Sequence, residues 1–163
     1  MFAGLFDWLL GAGREIAVVI ISMVPLVELR GAVPLGVAAG MPVSSLIPLA
    51  ILGNMLPIPF LLVFGEKLLD WLCTLRPLTK LATAYKNKLL AKRDKVTRYA
   101  RIGLFLFVAI PLPGTGAWSG AMIATLLKMP KVKALLSILC GVITAGIIML
   151  IASHSVLGVA KLF

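Results

Sequence analysis

The sequence predicts an all-α integral membrane protein built as an inverted repeat. In each half a re-entrant hairpin is followed by one transmembrane helix, and the two hairpin tips meet near the membrane midplane. Three observations predict this. Of 163 residues, 61% are hydrophobic and only 13% charged, whereas soluble domains average about 45 to 50% and about 25%. Four apolar segments, 16–41, 43–65, 102–129 and 132–153, reach the ~17 to 25 residues a helix needs to cross ~30 Å of hydrocarbon. The two halves also superpose at a constant offset of 88 residues, and internal repeats of this kind mark many transporter folds. A soluble globular enzyme is excluded, and 1–163 reads as a single membrane domain with a transport rather than an enzymatic role.

The first element, an interfacial segment over 1–15, begins MFAGLFDWLLGAG. It has no basic leading region and no convincing cleavage site, so it is not read as a cleaved signal peptide. Phe2, Leu5, Phe6, Trp8 and Leu9 supply the apolar face of a short helix lying at the membrane surface. Repeat 1 follows at 16–65, a basic linker at 66–101, repeat 2 at 102–153 and a tail at 154–163. In the superposition Pro25 falls on Pro113, Met41 on Met129, Pro42 on Pro130, Gly53 on Gly141 and Leu62 on Leu150.

In each repeat a broken apolar segment precedes an unbroken one. Pro111, Pro113, Gly114 and Gly116 fall within six residues; proline lacks an N–H and clashes with the preceding turn, and glycine favours non-helical dihedrals, so no continuous helix passes through them. Each arm beside the break has roughly ten to fourteen residues, which at ~1.5 Å per residue reaches half of a ~30 Å core. That is the length of a re-entrant arm.

Charge sets the topology. The net charge is +10, and nine of the sixteen basic residues, from Arg76 to Arg101, share one polar stretch with a single acid, Asp94. In a membrane chain this bias reports a cytoplasmic loop rather than nucleic-acid binding. Leu81, Tyr85, Leu89, Leu90 and Val96, spaced through the stretch, are compatible with an interfacial helix docked on anionic headgroups. Segment 102–129 leaves this loop and is followed by Lys128, Lys131 and Lys133; the lysines stay inside only if the segment dips in and returns. The matching junction of repeat 1, Gly40 to Ser45, carries no charge, as expected outside. The repeats are therefore inverted, with both termini outside a plasma (inner) membrane.

Irregular backbone at membrane depth is tolerated only where it is buried in protein or lines a wet cavity, so the facing tips mark a candidate substrate site. Between Ile16 and Gly65 the only ionisable residues are Glu28 and Arg30. A charge at that depth costs at least ~2.5 to 3.5 kcal/mol and is by default a functional-site hypothesis; the alternative is that the two neutralise each other and fasten the tip. In the second tip, free N–H groups after the break and the hydroxyls of Thr115 and Ser119 form an anion cradle at a helix start. Arg30 supplies the fixed positive charge a phosphate favours, Glu28 a proton-coupling base, and Trp118 an aromatic wall. Cys73, Cys140 and the lone His154 have no metal-ligand spacing, so no metal or other cofactor is expected. Two small-residue rows, Ala32, Gly36, Gly40 and Gly116, Gly120, Ala124, permit close helix contact within a hairpin or between copies, and a homodimer is expected.

At VELRGAVPLGVAAGMP (27–42) and AIPLPGTGAWSGAMIATLLKMP (109–130) the chain resembles the small multi-drug export protein family. The resemblance covers nearly the whole length, and that family is a distant relative of the DedA (VTT-domain) superfamily. It implies opposed re-entrant hairpins and a bacterial or archaeal transporter, scramblase or lipid flippase acting on a phosphorylated polyprenyl carrier such as undecaprenyl phosphate, coupled to an ion gradient. Carried over by position, it implies substrate contacts from Glu28, Arg30, Gly31 and Pro34 and from Pro111, Pro113, Gly114, Thr115, Gly116, Trp118 and Ser119. One departure is that 102–127 contains no arginine, where DedA proteins bring arginines to the second hairpin. The rival reading is a proton-coupled exporter of small amphipathic cations, with Glu28 alternately binding proton and drug; Arg30 two residues away repels such a cargo. A third class, a non-transporting assembly partner, predicts unaltered activity when both charges are removed.

Overall fold

A computed structural model of the chain describes residues 13–25, 27–74, 93–112 and 114–160, and the described residues form helices and turns only. The helices are α1 (Arg14–Met23), α2 (Glu28–Ala38), α3 (Val43–Met55), α4 (Ile58–Thr74), α5 (Arg93–Ala109), α6 (Ala117–Leu126) and α7 (Lys131–Ala160). The expected interfacial segment falls mostly outside the described residues, as do 75–92 of the basic linker and Pro113.

Each boundary has a local cause. Helix α1 stops because Val24 precedes Pro25 and is extended, with φ −72 and ψ 125, the conformation that a following proline ring imposes. Helix α2 ends in a Schellman turn, in which Met41 N donates to Gly36 O at 3.0 Å and Gly40 N to Val37 O at 3.0 Å, with Gly40 at φ 71. Helix α6 ends the same way 88 residues later. Met129 N donates to Ala124 O at 2.9 Å and Lys128 N to Thr125 O at 3.0 Å, with Lys128 at φ 50. Pro42 and Pro130 then precede α3 and α7, where a missing N–H is harmless because the first turn has no intrahelical use for it.

Two segments are long and apolar enough to cross a membrane: Val43–Gly65, 23 residues, which runs through α3 into α4, and Lys131–Ser155, 25 residues within α7. Their outward faces are apolar, with Leu52, Phe60 and Phe64 on one and Leu136, Ile147 and Ile151 on the other, all exposed. Charged or polar faces would be expected there in water. The core lies between the segments and the shorter helices, around Leu29, Leu46, Ile58, Ile138 and Val142.

Helices α1 and α2 form one hairpin and α5 and α6 another. The first is closed at its base by Arg14, whose Nη1 donates to Ala39 O at 2.9 Å; the second begins and ends around one recess, lined by Arg101 and Lys128. The first arm of each hairpin packs on the long helix of its own half, α1 on α3 and α5 on α7. Glycine makes both approaches possible. A Cβ on Gly53 would run into the Val19 backbone, and one on Gly141 would lie 2.7 Å from Val108 Cβ and 3.0 Å from Phe105 O. The second arms cross over, so that α2 packs on α7 and α6 on α4.

The expected segment boundaries differ from the helix ends. Helix α4 runs to Thr74 and α5 starts at Arg93, both inside the stretch read as linker, and α7 continues to Ala160, into the expected tail. Hydropathy marks where lipid ends, whereas helical hydrogen bonding continues into polar sequence until a breaker intervenes. The small-residue rows are largely consumed within the chain. Ala32, Gly36, Gly120 and Ala124 are buried, and a Cβ on Gly36 or Gly120 would strike Leu46 or Val108.

Candidate functional site between the helix breaks

The charged tip of the first hairpin reaches the broken backbone of the second. Glu28 is 5% exposed, and its carboxylate accepts from Ala117 N at 3.2 Å and Trp118 N at 3.1 Å. These are first-turn N–H groups of α6, which have no intrahelical partner and carry the positive end of the helix dipole. The carboxylate is therefore a helix cap delivered from 89 residues away. Gly116 lies directly beneath it, and any Cβ there would occupy the space of the carboxyl group. Glu28 itself has φ 50, a left-handed conformation that costs an L-residue on the order of 1 kcal/mol and that the surrounding contacts maintain.

Arg30 takes the other end of the same break. Its Nη2 donates to Val108 O at 3.0 Å and Ile110 O at 3.3 Å, and its Nη1 to Leu112 O at 3.3 Å. These carbonyls finish α5 and begin the turn, where helix geometry leaves acceptors unused and the dipole is negative. The planar guanidinium can reach several of them at once, which a lysine could not. Thr115 Oγ1 fastens the turn from within: it accepts from Leu112 N at 3.2 Å and donates to Ile110 O at 2.8 Å or Leu112 O at 2.9 Å. Gly114, with φ 80, provides the left-handed residue the turn requires.

A cavity of about 550 Å³ opens beside these groups. Of the residues selected from sequence, the structure brings Glu28, Arg30, Gly31, Pro111, Gly114, Thr115, Trp118 and Ser119 to its walls. Pro34 lies a turn and a half further along α2 and is not among the lining residues; Gly116 supports the Glu28 carboxylate from below. Pro25, Val27 and Leu112 add lining from the two breaks, and Met149 adds it from α7. Met149 could not be chosen from sequence, where it is one more apolar residue of a spanning helix. The N–H groups that sequence reasoning offered to a phosphate are occupied by Glu28 and the Thr115 hydroxyl is spent within the turn, so the polar groups that remain towards the cavity are the Arg30 guanidinium and the Ser119 hydroxyl.

Several buried polar atoms have no partner among the described residues. Arg30 Nε and Trp118 Nε1 are two of them, at the cavity; Ser22 Oγ and both amide atoms of Asn54 are the others. Ser22 and Asn54 are fully buried, on the helices α1 and α3 that pack together beside the first break. Neither was singled out from sequence, although an Asn inside a spanning segment is the signal that could have found it.

Two apolar segments long enough to span a membrane, and two helical hairpins whose breaks enclose a buried ion-and-dipole site, describe a helical membrane protein. The match to known sequences is narrower. The chain belongs to the family described as "Putative small multi-drug export protein", whose profile matches residues 28–148. The matched region starts at Glu28 and contains Arg30, the second break and most of α7. No curated protein and no solved structure matches the chain.

Proposed function

We propose that the protein translocates a phosphorylated amphipathic lipid, with undecaprenyl phosphate as the representative substrate, through the cavity between the two breaks. The fold in this reading is DedA-like: two re-entrant hairpins entering from opposite faces, each followed by a spanning helix, with the basic 76–101 stretch cytoplasmic and both termini outside. Its support is geometric. Helices α1, α2 and α6 have 10, 11 and 10 residues, about half the ~30 Å of hydrocarbon at 1.5 Å per residue. The contacts of the halves interchange about a common centre.

The observation that carries the substrate class is the binding of Glu28 to the N-terminus of α6. A carboxylate whose two oxygens already accept from Ala117 N and Trp118 N is occupied by the chain itself and is poorly placed to hold a cationic drug. Arg30 lines the same cavity with positive charge and repels such a drug. An anionic headgroup is drawn to that charge, Ser119 offers a hydroxyl donor, and Trp118 and Met149 provide an apolar wall for the first part of a lipid tail.

The test uses purified protein in nanodiscs and two lipids that differ only in the phosphate. Arg30→Lys is expected to weaken binding of the polyprenyl phosphate at least tenfold, about 1.4 kcal/mol, and to leave the neutral polyprenol unchanged. Equal loss for both lipids would mean that Arg30 only holds α5. Glu28→Gln is expected to remove any dependence of transport on the proton gradient; a dependence that persists would assign coupling to another group. The cation-export reading predicts instead that Arg30→Ala strengthens the binding of a lipophilic cation.

A further inference from the structure

At the base of the second hairpin, away from the transport cavity, Arg101 from α5, Lys128 after α6 and Lys133 in the first turn of α7 line a recess of about 270 Å³. Arg101 and Lys133 also rim a groove of about 390 Å³ between α5 and α7, whose floor is Ile102, Phe105, Leu136 and Cys140. Among the described residues no acidic side chain lines either space, and none lies in the first turn of α7. Three cations sharing one recess repel one another unless an anion joins them.

The backbone adds an independent indication. Lys128 adopts φ 50, and the residue in the same Schellman position of the first half is Gly40, at φ 71. Glycine takes this conformation freely and lysine does not, so the local backbone argues against a lysine that is nevertheless present. At the 88-residue offset Arg101 and Lys133 correspond to Gly13 and Ser45. At the places of Lys128 and Lys133 the first half folds without charge; beside that of Arg101 its Arg14 donates to Ala39 O at 2.9 Å.

We propose that the recess and groove together bind an anionic glycerophospholipid, its phosphate held among Arg101, Lys128 and Lys133 and one acyl chain lying along Ile102, Phe105, Leu136 and Cys140. The groove selects a lipid over free phosphate. Ile102 and Leu136 are 61% and 55% exposed, and Leu136 and Cys140 lie within the spanning segment, so a small anion would leave the apolar half of the site unused. Such a lipid is a resident ligand that fixes the base of the hairpin; it is distinct from the transported substrate, and the inference does not rest on the substrate assignment.

Cys140 is exposed and reports occupancy directly. With Cys73→Ser in the full chain, alkylation of Cys140 by a small membrane-permeant maleimide is followed in vesicles of phosphatidylcholine, with and without phosphatidylglycerol. Phosphatidylglycerol is expected to slow alkylation several-fold, and Arg101→Gln with Lys133→Gln to abolish that slowing in the same vesicles, which holds surface potential constant. Equal rates in both lipids, or protection that survives the double substitution, would overturn the site. Protection by inorganic phosphate in phosphatidylcholine alone would overturn the lipid assignment. Lys128→Gly separates charge from fold: it is expected to lose most of the protection without lowering Tm, and full protection in that variant would remove Lys128 from the site.

Discussion

The two halves of the molecule share a backbone plan and differ in where they carry charge. At the 88-residue offset the Schellman turns coincide, Gly53 and Gly141 stand at the same close approach, and α3 and α7 start at equivalent residues, Val43 and Lys131. At the tips, Glu28 and Arg30 of the first half face Gly116 and Trp118 of the second. One half supplies long charged side chains and the other supplies bare helix ends, and each is incomplete without its opposite. The difference teaches that two halves can share local geometry while dividing the chemistry: a carboxylate at 116 as well as at 28 would bring two like charges into one buried site, whereas a glycine opposite a glutamate lets the acid reach the N–H groups.

The comparison breaks most sharply at Gly116. Gly116→Ala puts a methyl group where the Glu28 carboxylate lies, so either the acid leaves α6, stranding a buried charge, or the hairpins separate. We expect a loss of about 3 kcal/mol, combining overpacking with a disrupted ionic hydrogen bond, read as a lower Tm in detergent. Adding Glu28→Ala should return part of that loss, since the methyl group then fills vacated space. If the two losses simply add, the pair is not coupled and the complementarity argued above is wrong.

How much of this was legible in the sequence follows from the range of the interactions. The spanning segments are visible because a continuous apolar run needs no partner to be recognised, and the second break is visible because Pro111, Gly114 and Gly116 act on their own backbone. Glu28 and Arg30 stand out as the only charges in their apolar half. Their partners were not legible. Pairing Glu28 with Ala117 or Arg30 with Val108 depends on contacts 89 and 78 residues apart, and nothing local distinguishes a cradle left free for a phosphate from one filled by the chain's own carboxylate. The start of α5 was missed for a different reason. Residues 93–101 are polar enough to read as linker, yet they contain no breaker and continue the helix.

A second difference between the halves concerns neutral groups. Asn54 and Ser22 are fully buried and have no partner among the described residues, while the corresponding second-half residues are Val142 and Ile110. Leaving an amide unpaired in the interior costs ~1 to 3 kcal/mol, so Asn54→Leu, similar in volume, is expected to stabilise the protein by about 1 kcal/mol, measured as a raised Tm. If transport survives, the amide is a tolerated asymmetry. If stability rises and transport fails, Asn54 finds its partner in another conformation, and the first half carries the moving arm.

The smallest effect is the most direct test of whether the halves share a scaffold, because it exchanges one residue between them. Lys128→Gly removes a left-handed lysine, a gain on the order of 1 kcal/mol, partly offset because glycine has more freedom to lose on folding. A net stabilisation of about 0.5 kcal/mol is expected. Gly40→Lys runs the other way: it introduces the strain at φ 71 and adds a second cation beside Arg14, which already bonds Ala39 O, so it should cost about 1 kcal/mol. Opposite signs of similar size, read from Tm in the same detergent, would mean that the two Schellman turns are equivalent and that the second half keeps Lys128 for its charge. A destabilised Lys128→Gly would instead mean that the lysine side chain holds the end of α6, and the difference between the two bases would be one of folding rather than of ligand.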